Sequence, residues 1–402
     1  MRSRWLVGDS RIVRLFMQDD TLVRCPHSKD CGACALLGVG YEDQLQRKRH
    51  LLADALGKHT SLRRVRPLAC VPSPGLEGYR NRAKMAIGLS RRGRRMGYFR
   101  TGTREIVDAP DCRVLVPDLL ETTRRIRRFL ETSRQIPSTL RHIDVRCGTD
   151  PTRQHLTLVF RATERQSFPV DGLRRHCPAV TGISVNLNPG TDAQVIRGSV
   201  RPLWGDREIW VDHAGYRLRV SPAAFFQVNL ALLPTIHTLM EQFFGRGDVL
   251  ADLYAGVGTH GFALRRQFRR VLFSEGNRSA VADLKSTIRA RRVGDIRIAP
   301  VAVERGLDQL REEAPDAVVL NPSRAGAREI VLDAIAQCPV TKLAYLSCDP
   351  ATLGRDLDVL CRLGFTVRSV QPIDMMPQTR QVEALALLTR PRLPTPRTER
   401  TR

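Results

Sequence analysis

Asp252-Leu-Tyr-Ala-Gly-Val-Gly-Thr-His-Gly261 is the stretch whose reading decides the fold. It grows out of an apolar run that begins at Val249 and sets Gly256, Gly258 and Gly261 in a G-x-G-x-x-G frame. Such a turn, directly after a strand, lets a nucleotide-like cofactor approach the backbone at the carboxyl end of a parallel sheet. Roughly twenty residues on, Glu275 closes the next apolar run, where a carboxylate can accept both hydroxyls of an adenosyl ribose. Strand, glycine loop, strand and acid suit either a dinucleotide or S-adenosylmethionine, and the loop alone does not choose.

Outward toward the carboxyl end, short apolar runs at Val249 to Tyr254, Val271 to Ser274, Ala317 to Leu320 and Leu343 to Ser347 alternate with helical stretches. This is the pattern of a parallel sheet with crossover helices, a Rossmann-like α/β domain. Three polar segments fall at its carboxyl edge. Asn321-Pro-Ser-Arg-Ala-Gly follows one strand, Ser347-Cys348-Asp-Pro follows the next, and Asp374-Met-Met-Pro-Gln-Thr-Arg-Gln-Val-Glu383 brings a carboxylate to the mouth of a late strand. A methyl donor, a thiol and a carboxylate on one cleft fit a particular reaction. Carbon 5 of uracil is too weak a nucleophile to attack a sulfonium methyl group, but a thiolate added to carbon 6 turns the ring into an enolate with charge at carbon 5. Cys348 is the expected nucleophile, and Glu383 is the expected base that removes the carbon-5 proton.

Outward toward the amino end the pattern changes near residue 216. Tyr41, Leu45, Leu52 and Leu56 recur at helical spacing, Gly57 ends the helix, and Arg47, Lys48 and Arg49 are read as its charged outer face. His142-Ile-Asp-Val-Arg and His155-Leu-Thr-Leu-Val-Phe, separated by Gly148, Asp150 and Pro151, predict an antiparallel hairpin in an α+β domain. Before these lies Arg-Cys25-Pro-His-Ser-Lys-Asp-Cys31-Gly-Ala-Cys34. Three clustered cysteines in a chain whose first residues lack a secretory apolar stretch point to a metal or an iron–sulfur cluster rather than to disulfides, with tetrahedral zinc and iron–sulfur both open. The 402 residues carry 65 Lys+Arg against 41 Asp+Glu, a formal +24, which predicts a nucleic-acid partner. No apolar run is long enough to span a bilayer, so the expected location is cytoplasmic, without a membrane partner.

Together these motifs, from about Cys25 to Leu388, resemble the RNA uracil-5 methyltransferase family, especially its iron–sulfur 23S rRNA branch. Gly78-Tyr-Arg-Asn-Arg-Ala-Lys-Met is similar to the family's basic central signature, and Phe225-Phe-Gln-Val-Asn to the segment leading into its catalytic domain. The resemblance implies that Gln227, Tyr254, Thr259, Glu275 and Asn321 bind S-adenosylmethionine, that Cys348 is the nucleophile and that Glu383 is the base. It also implies that Cys25, Cys31, Cys34 and Cys112 hold a [4Fe–4S] cluster of mainly structural purpose. The implied partner is RNA, 23S rRNA foremost with tRNA as the alternative, for a monomeric enzyme; a non-catalytic ribosome-assembly factor is the competing class. Arg80, Arg82, Lys84 and Arg91-Arg-Gly-Arg-Arg are the expected phosphate contacts. The expected organisation is a short segment 1–24, an iron–sulfur and RNA-binding unit 25–215, a methyltransferase unit 216–390 and a disordered basic tail 391–402. The family's amino-terminal RNA-binding barrel is expected to be missing. Four positions depart from the pattern: Ser323 stands for the second proline of the Asn/Asp-Pro-Pro-Arg loop, Asp349 for the asparagine after the nucleophile, Gln381 for a histidine and Ala302 for an acid near the adenine.

Overall fold

The structure is a computed structural model and describes residues 22–90, 93–164, 166–190, 194–291 and 294–391. The expectations for segment 1–21, for Arg91 and Arg92, and for the tail from 392 onward lie outside these residues. Two seven-stranded sheets dominate. The first comprises β1 (Arg82–Ser90), β2 (Gly93–Phe99), β3 (Ile106–Asp108), β4 (Leu140–Cys147), β5 (Gln154–Phe160), β6 (Val180–Leu187) and β7 (Val200–Gly205), in the order β3-β2-β1-β4-β5-β6-β7. The predicted hairpin is β4 against β5, antiparallel. Helices Pro117–Thr132 and Val170–His176 cover one face through Leu119, Ile126, Phe129, Leu130 and Leu173. The same sheet carries buried polar groups. Arg146, buried beside Asp144, donates to the carbonyls of Pro222 (2.7 Å) and Ala224 (3.1 Å), and so ties the sheet to the turn that leads into the second half.

A small hairpin of β8 (Ile209–His213) and β9 (Tyr216–Val220) precedes the second sheet. That sheet comprises β10 (Gly247–Leu253), β11 (Phe268–Ser274), β12 (Ile296–Ala299), β13 (Ala317–Leu320), β14 (Lys342–Ser347), β15 (Thr366–Ile373) and β16 (Glu383–Thr389), ordered β12-β11-β10-β13-β14-β16-β15. The pairings from β12 through β14 are parallel, whereas β16 inserts antiparallel between β14 and β15. Alternate residues of the central strands enter opposite cores. Ala251, Leu253, Val318, Leu320 and Tyr345 face one; Leu250, Ala317, Val319, Ala344 and Leu346 face the other. Burial on both faces is why these strands read as unbroken apolar runs.

The helix Tyr41–Gly57 forms as expected, but its Leu52 and Leu56 join the core under the second sheet, beside helix Pro350–Arg362. Its Lys48 is correspondingly not on a charged outer face. The ammonium is 1 % exposed and pairs with the fully buried Asp374, to which Tyr41 also donates at 3.0 Å. Among the described residues no helix is long and apolar enough to cross a membrane.

Candidate active site

The glycine loop follows β10 and leads into the helix Thr259–Leu264. Gly256 (φ 58°) and Gly258 (φ 87°) occupy left-handed backbone that a side chain would strain, and a Cβ on Gly256 would meet nothing nearer than the Phe225 carbonyl oxygen at 4.0 Å. The ground above the turn is therefore open to a ligand. Gly261 has a different reason to be glycine: a Cβ there would lie 2.3 Å from the Phe273 ring. Its amide donates to the buried Asp252 carboxylate at 2.8 Å and fixes the helix to the strand. Burial holds Asp252 up to about 7. Tyr254 holds a positive φ of 59° with its hydroxyl donating to Glu304 at 3.0 Å, a strained conformation for an aromatic residue at the loop. Glu275 accepts from the amides of Gly256 (2.8 Å) and Asn277 (2.5 Å), one on each oxygen, so its carboxylate stands fixed at the loop's rim with lone pairs to spare. Thr259 is buried at the helix start, and Gln227 is buried with its carbonyl accepting from Asn81 at 3.3 Å. Asn321 follows β13 at the same edge, its amide 3.2 Å from the His260 ring nitrogen.

Cys348 and Glu383 meet because β14 and β16 are neighbours. Ser347 pairs with Ala384 in the last step of the ladder, and Cys348 follows the one as Glu383 precedes the other, so both lie at the same end of the two strands. Glu383 is 5 % exposed, and burial raises it to about 7 against the pull of Arg324. The half-buried Cys348 thiol is also pushed up, first by burial and then by the Glu383 carboxylate, with Arg324 opposing. Arg324, quoted in the Asn-Pro-Ser-Arg loop but given no task there, is thus the cation that both groups feel. It is held by a 2.8 Å bond to Gln381. The departure at Gln381 therefore has a structural use, and so has that at Asp349: its carboxylate caps helix Pro350–Arg362, accepting from Ala351 and Thr352 at 3.0 Å each. At Ala302 the chain packs tightly, since a Cβ on Gly276 would lie 3.0 Å from its Cα.

The cysteine segment docks on the first sheet through Gly32, whose amide donates to Phe99, and a bridge between Cys31 and Arg100. Cys25, Cys31, Cys34 and Cys112 are all half-buried. Cys34 is pushed up to about 12, by burial first and then by the charges of Cys112, Cys31 and Cys25, which shows that the four sulfurs share one neighbourhood. Among the described residues no group of three or more His, Cys, Asp or Glu side chains is arranged to hold a metal ion. Of the expected phosphate contacts, Arg82 is engaged by the buried Asp144 through Nε at 2.9 Å, while Lys84 remains exposed on β1.

Comparison with known proteins adds three findings. Residues 206–391 match the family described as tRNA (Uracil-5-)-methyltransferase. An RNA methyltransferase of Geobacter sulfurreducens is 31 % identical across 94 % of this chain and 80 % of its own length, and one of Thermosynechococcus vestitus is 29 % identical across 91 % and 83 %. Among solved structures, the Pyrococcus abyssi tRNA (uracil-54, C5)-methyltransferase in complex with S-adenosyl-L-homocysteine shares the fold, with a TM-score of 0.73 and 24 % identity over 89 % of this chain and 85 % of that one.

Proposed function

Because the chain belongs to the RNA uracil-5 methyltransferase family, we propose that it methylates carbon 5 of one uridine in RNA, foremost 23S rRNA, through a covalent bond between Cys348 and carbon 6 of the uracil. The observation that supports this reading is that Cys348 and Glu383 lie at one end of neighbouring strands, with Arg324 acting electrostatically on both. S-adenosylmethionine supplies the methyl group, and the open turn at Gly256, the fixed Glu275, Tyr254, Thr259, Gln227 and Asn321 are the residues to bind it. The Cys348 thiolate adds to carbon 6, and the ring's electron pair moves to carbon 5, which takes the methyl group as its bond to sulfur breaks and S-adenosylhomocysteine leaves. Glu383 then removes the proton from carbon 5, the ring electrons re-form the double bond, and the thiolate leaves. A carboxylate raised to about 7 is well matched to that proton transfer at neutral pH. Arg324 favours the charged forms of both partners.

Cys348→Ala should give neither covalent RNA adduct nor product, because the thiol acts first. Glu383→Gln should still attack and methylate, then stall as a protein–RNA species that survives denaturing electrophoresis. A covalent adduct formed by Cys348→Ala would remove the proposed nucleophile. tRNA is the second target, favoured by the printed description of the matching family. Mass spectrometry of rRNA and tRNA nucleosides from cells with and without the gene decides between the two.

Cys25, Cys31, Cys34 and Cys112 are the residues to hold a [4Fe–4S] cluster, four thiolates being the normal shell of such a group; what supports this reading is that Cys25, Cys31 and Cys112 all act electrostatically on Cys34. Its task is to fix the cysteine segment to the first sheet. Protein purified without oxygen should be brown and contain about four irons, and each cysteine-to-alanine change should lose most of them. Stoichiometric zinc without visible absorption would exclude the cluster.

A further inference from the structure

Behind Asn321 lies a buried chain of histidines that the reaction as described does not use. His260, 2 % exposed on the helix after the glycine loop, stands between Asn321 (Nδ2 to Nε2, 3.2 Å) and His237 (Nδ1 to Nε2, 3.0 Å). His237 in turn packs its ring on His213, with centroids 4.7 Å apart. Burial holds all three below the usual imidazole range, His260 down to about 4, so the chain is neutral and each ring carries one N–H.

The Asn321 end sets the direction. Its amide nitrogen can only donate, so His260 Nε2 accepts, and the one proton of the neutral ring sits on Nδ1 and is donated to His237 Nε2. His237 then carries its own proton on Nδ1, which has no partner among the described residues.

We propose that His260 is a positioning residue: it engages the amide nitrogen of Asn321 and so turns the side-chain oxygen toward the cleft as an acceptor, giving an asparagine the polarity of a carboxylate there without its charge. The group recognised is an N–H donor, either the ammonium of the methyl donor or the imide N–H of the uracil. The inference rests on the methyl-transfer reading of this cleft.

Two experiments test it. In the first, histidine nitrogen NMR of the whole wild-type protein should show His260 as the neutral Nδ1–H form. An Nε2–H form overturns the proposal, with or without any measured turnover. The second is a double-mutant cycle. His260→Phe frees the amide to flip and should lower kcat/KM on the order of tenfold, the worth of about one hydrogen bond. The loss falls on the KM for S-adenosylmethionine if the oxygen meets the ammonium, and on the RNA if it meets the uracil; no loss in either overturns the proposal. Asn321→Asp should be harmful beside His260, whose lone pair would face a carboxylate. Combined with His260→Phe it should restore activity, because both carboxylate oxygens accept. Equal effects of Asn321→Asp in the two backgrounds also overturn the proposal. Absence of any RNA methylation by the wild type would instead defeat the functional reading and leave the tautomer to decide the chain by itself.

Discussion

Glu383 shows the conflict between chemistry and stability in a single side chain. Its carboxyl is raised from the ordinary carboxylate range to about 7 because it is buried. A group raised on folding contributes stability below its unfolded pKa and loses that contribution as pH rises through its folded value. The rise from 4.5 to about 7 corresponds to a cost on the order of 3 kcal/mol at alkaline pH. Glu383→Gln should therefore raise the melting temperature at pH 8 and leave it nearly unchanged at pH 4, while turnover is lost. Equal melting temperatures for variant and wild type at pH 8 would show that the carboxylate is not desolvated as described. Arg324 completes the same site, yet nothing in its local sequence separates it from the other arginines of a strongly basic chain. Its signal was positional: it closes a polar loop at the strand end next to that of Cys348.

At the level of single elements, helix Pro350–Arg362 follows directly on the Cys348 loop, and Asp349 starts it. Removing the cap with Asp349→Ala should cost about 1 kcal/mol in urea unfolding and loosen Cys348, whereas Asp349→Asn, which caps equally well, should leave stability unchanged. A matching loss in both variants would mean that the charge, not the cap, matters. The departure from the family's asparagine is thus legible as capping chemistry only once the helix is seen to begin there. Strands β10, β11, β13 and β14 were legible outright, because burial on both faces leaves an unbroken apolar run. Cys348 and Glu383 were legible as motif residues, but their place at one end of neighbouring strands depends on β16 entering antiparallel, which a local pattern does not encode. The histidine chain was invisible for a related reason: its members come from three separate elements, and a lone histidine on an apolar face carries no sign of its partner.

Across the whole molecule, Lys48 and Asp374 join the amino-terminal helix to the sheet that carries the site. A lysine among charged neighbours reads as solvent-facing when its partner is 326 residues away. Lys48→Met leaves the buried carboxylate without its cation and should destabilise by about 3–5 kcal/mol in urea unfolding, whereas adding Asp374→Leu should recover most of that loss. A mild effect of Lys48→Met alone would show that the pair is not the buried tie described. The place of β16 has a consequence in time as well as in space. A ribosome delivers Cys348 well before Glu383, and until β16 is made, β14 has an open edge and the thiol has no Glu383 near it. On the proposed mechanism a nascent chain would be unable to complete the reaction on any RNA it meets, and the enzyme would ripen only as β16 slides into the gap left for it.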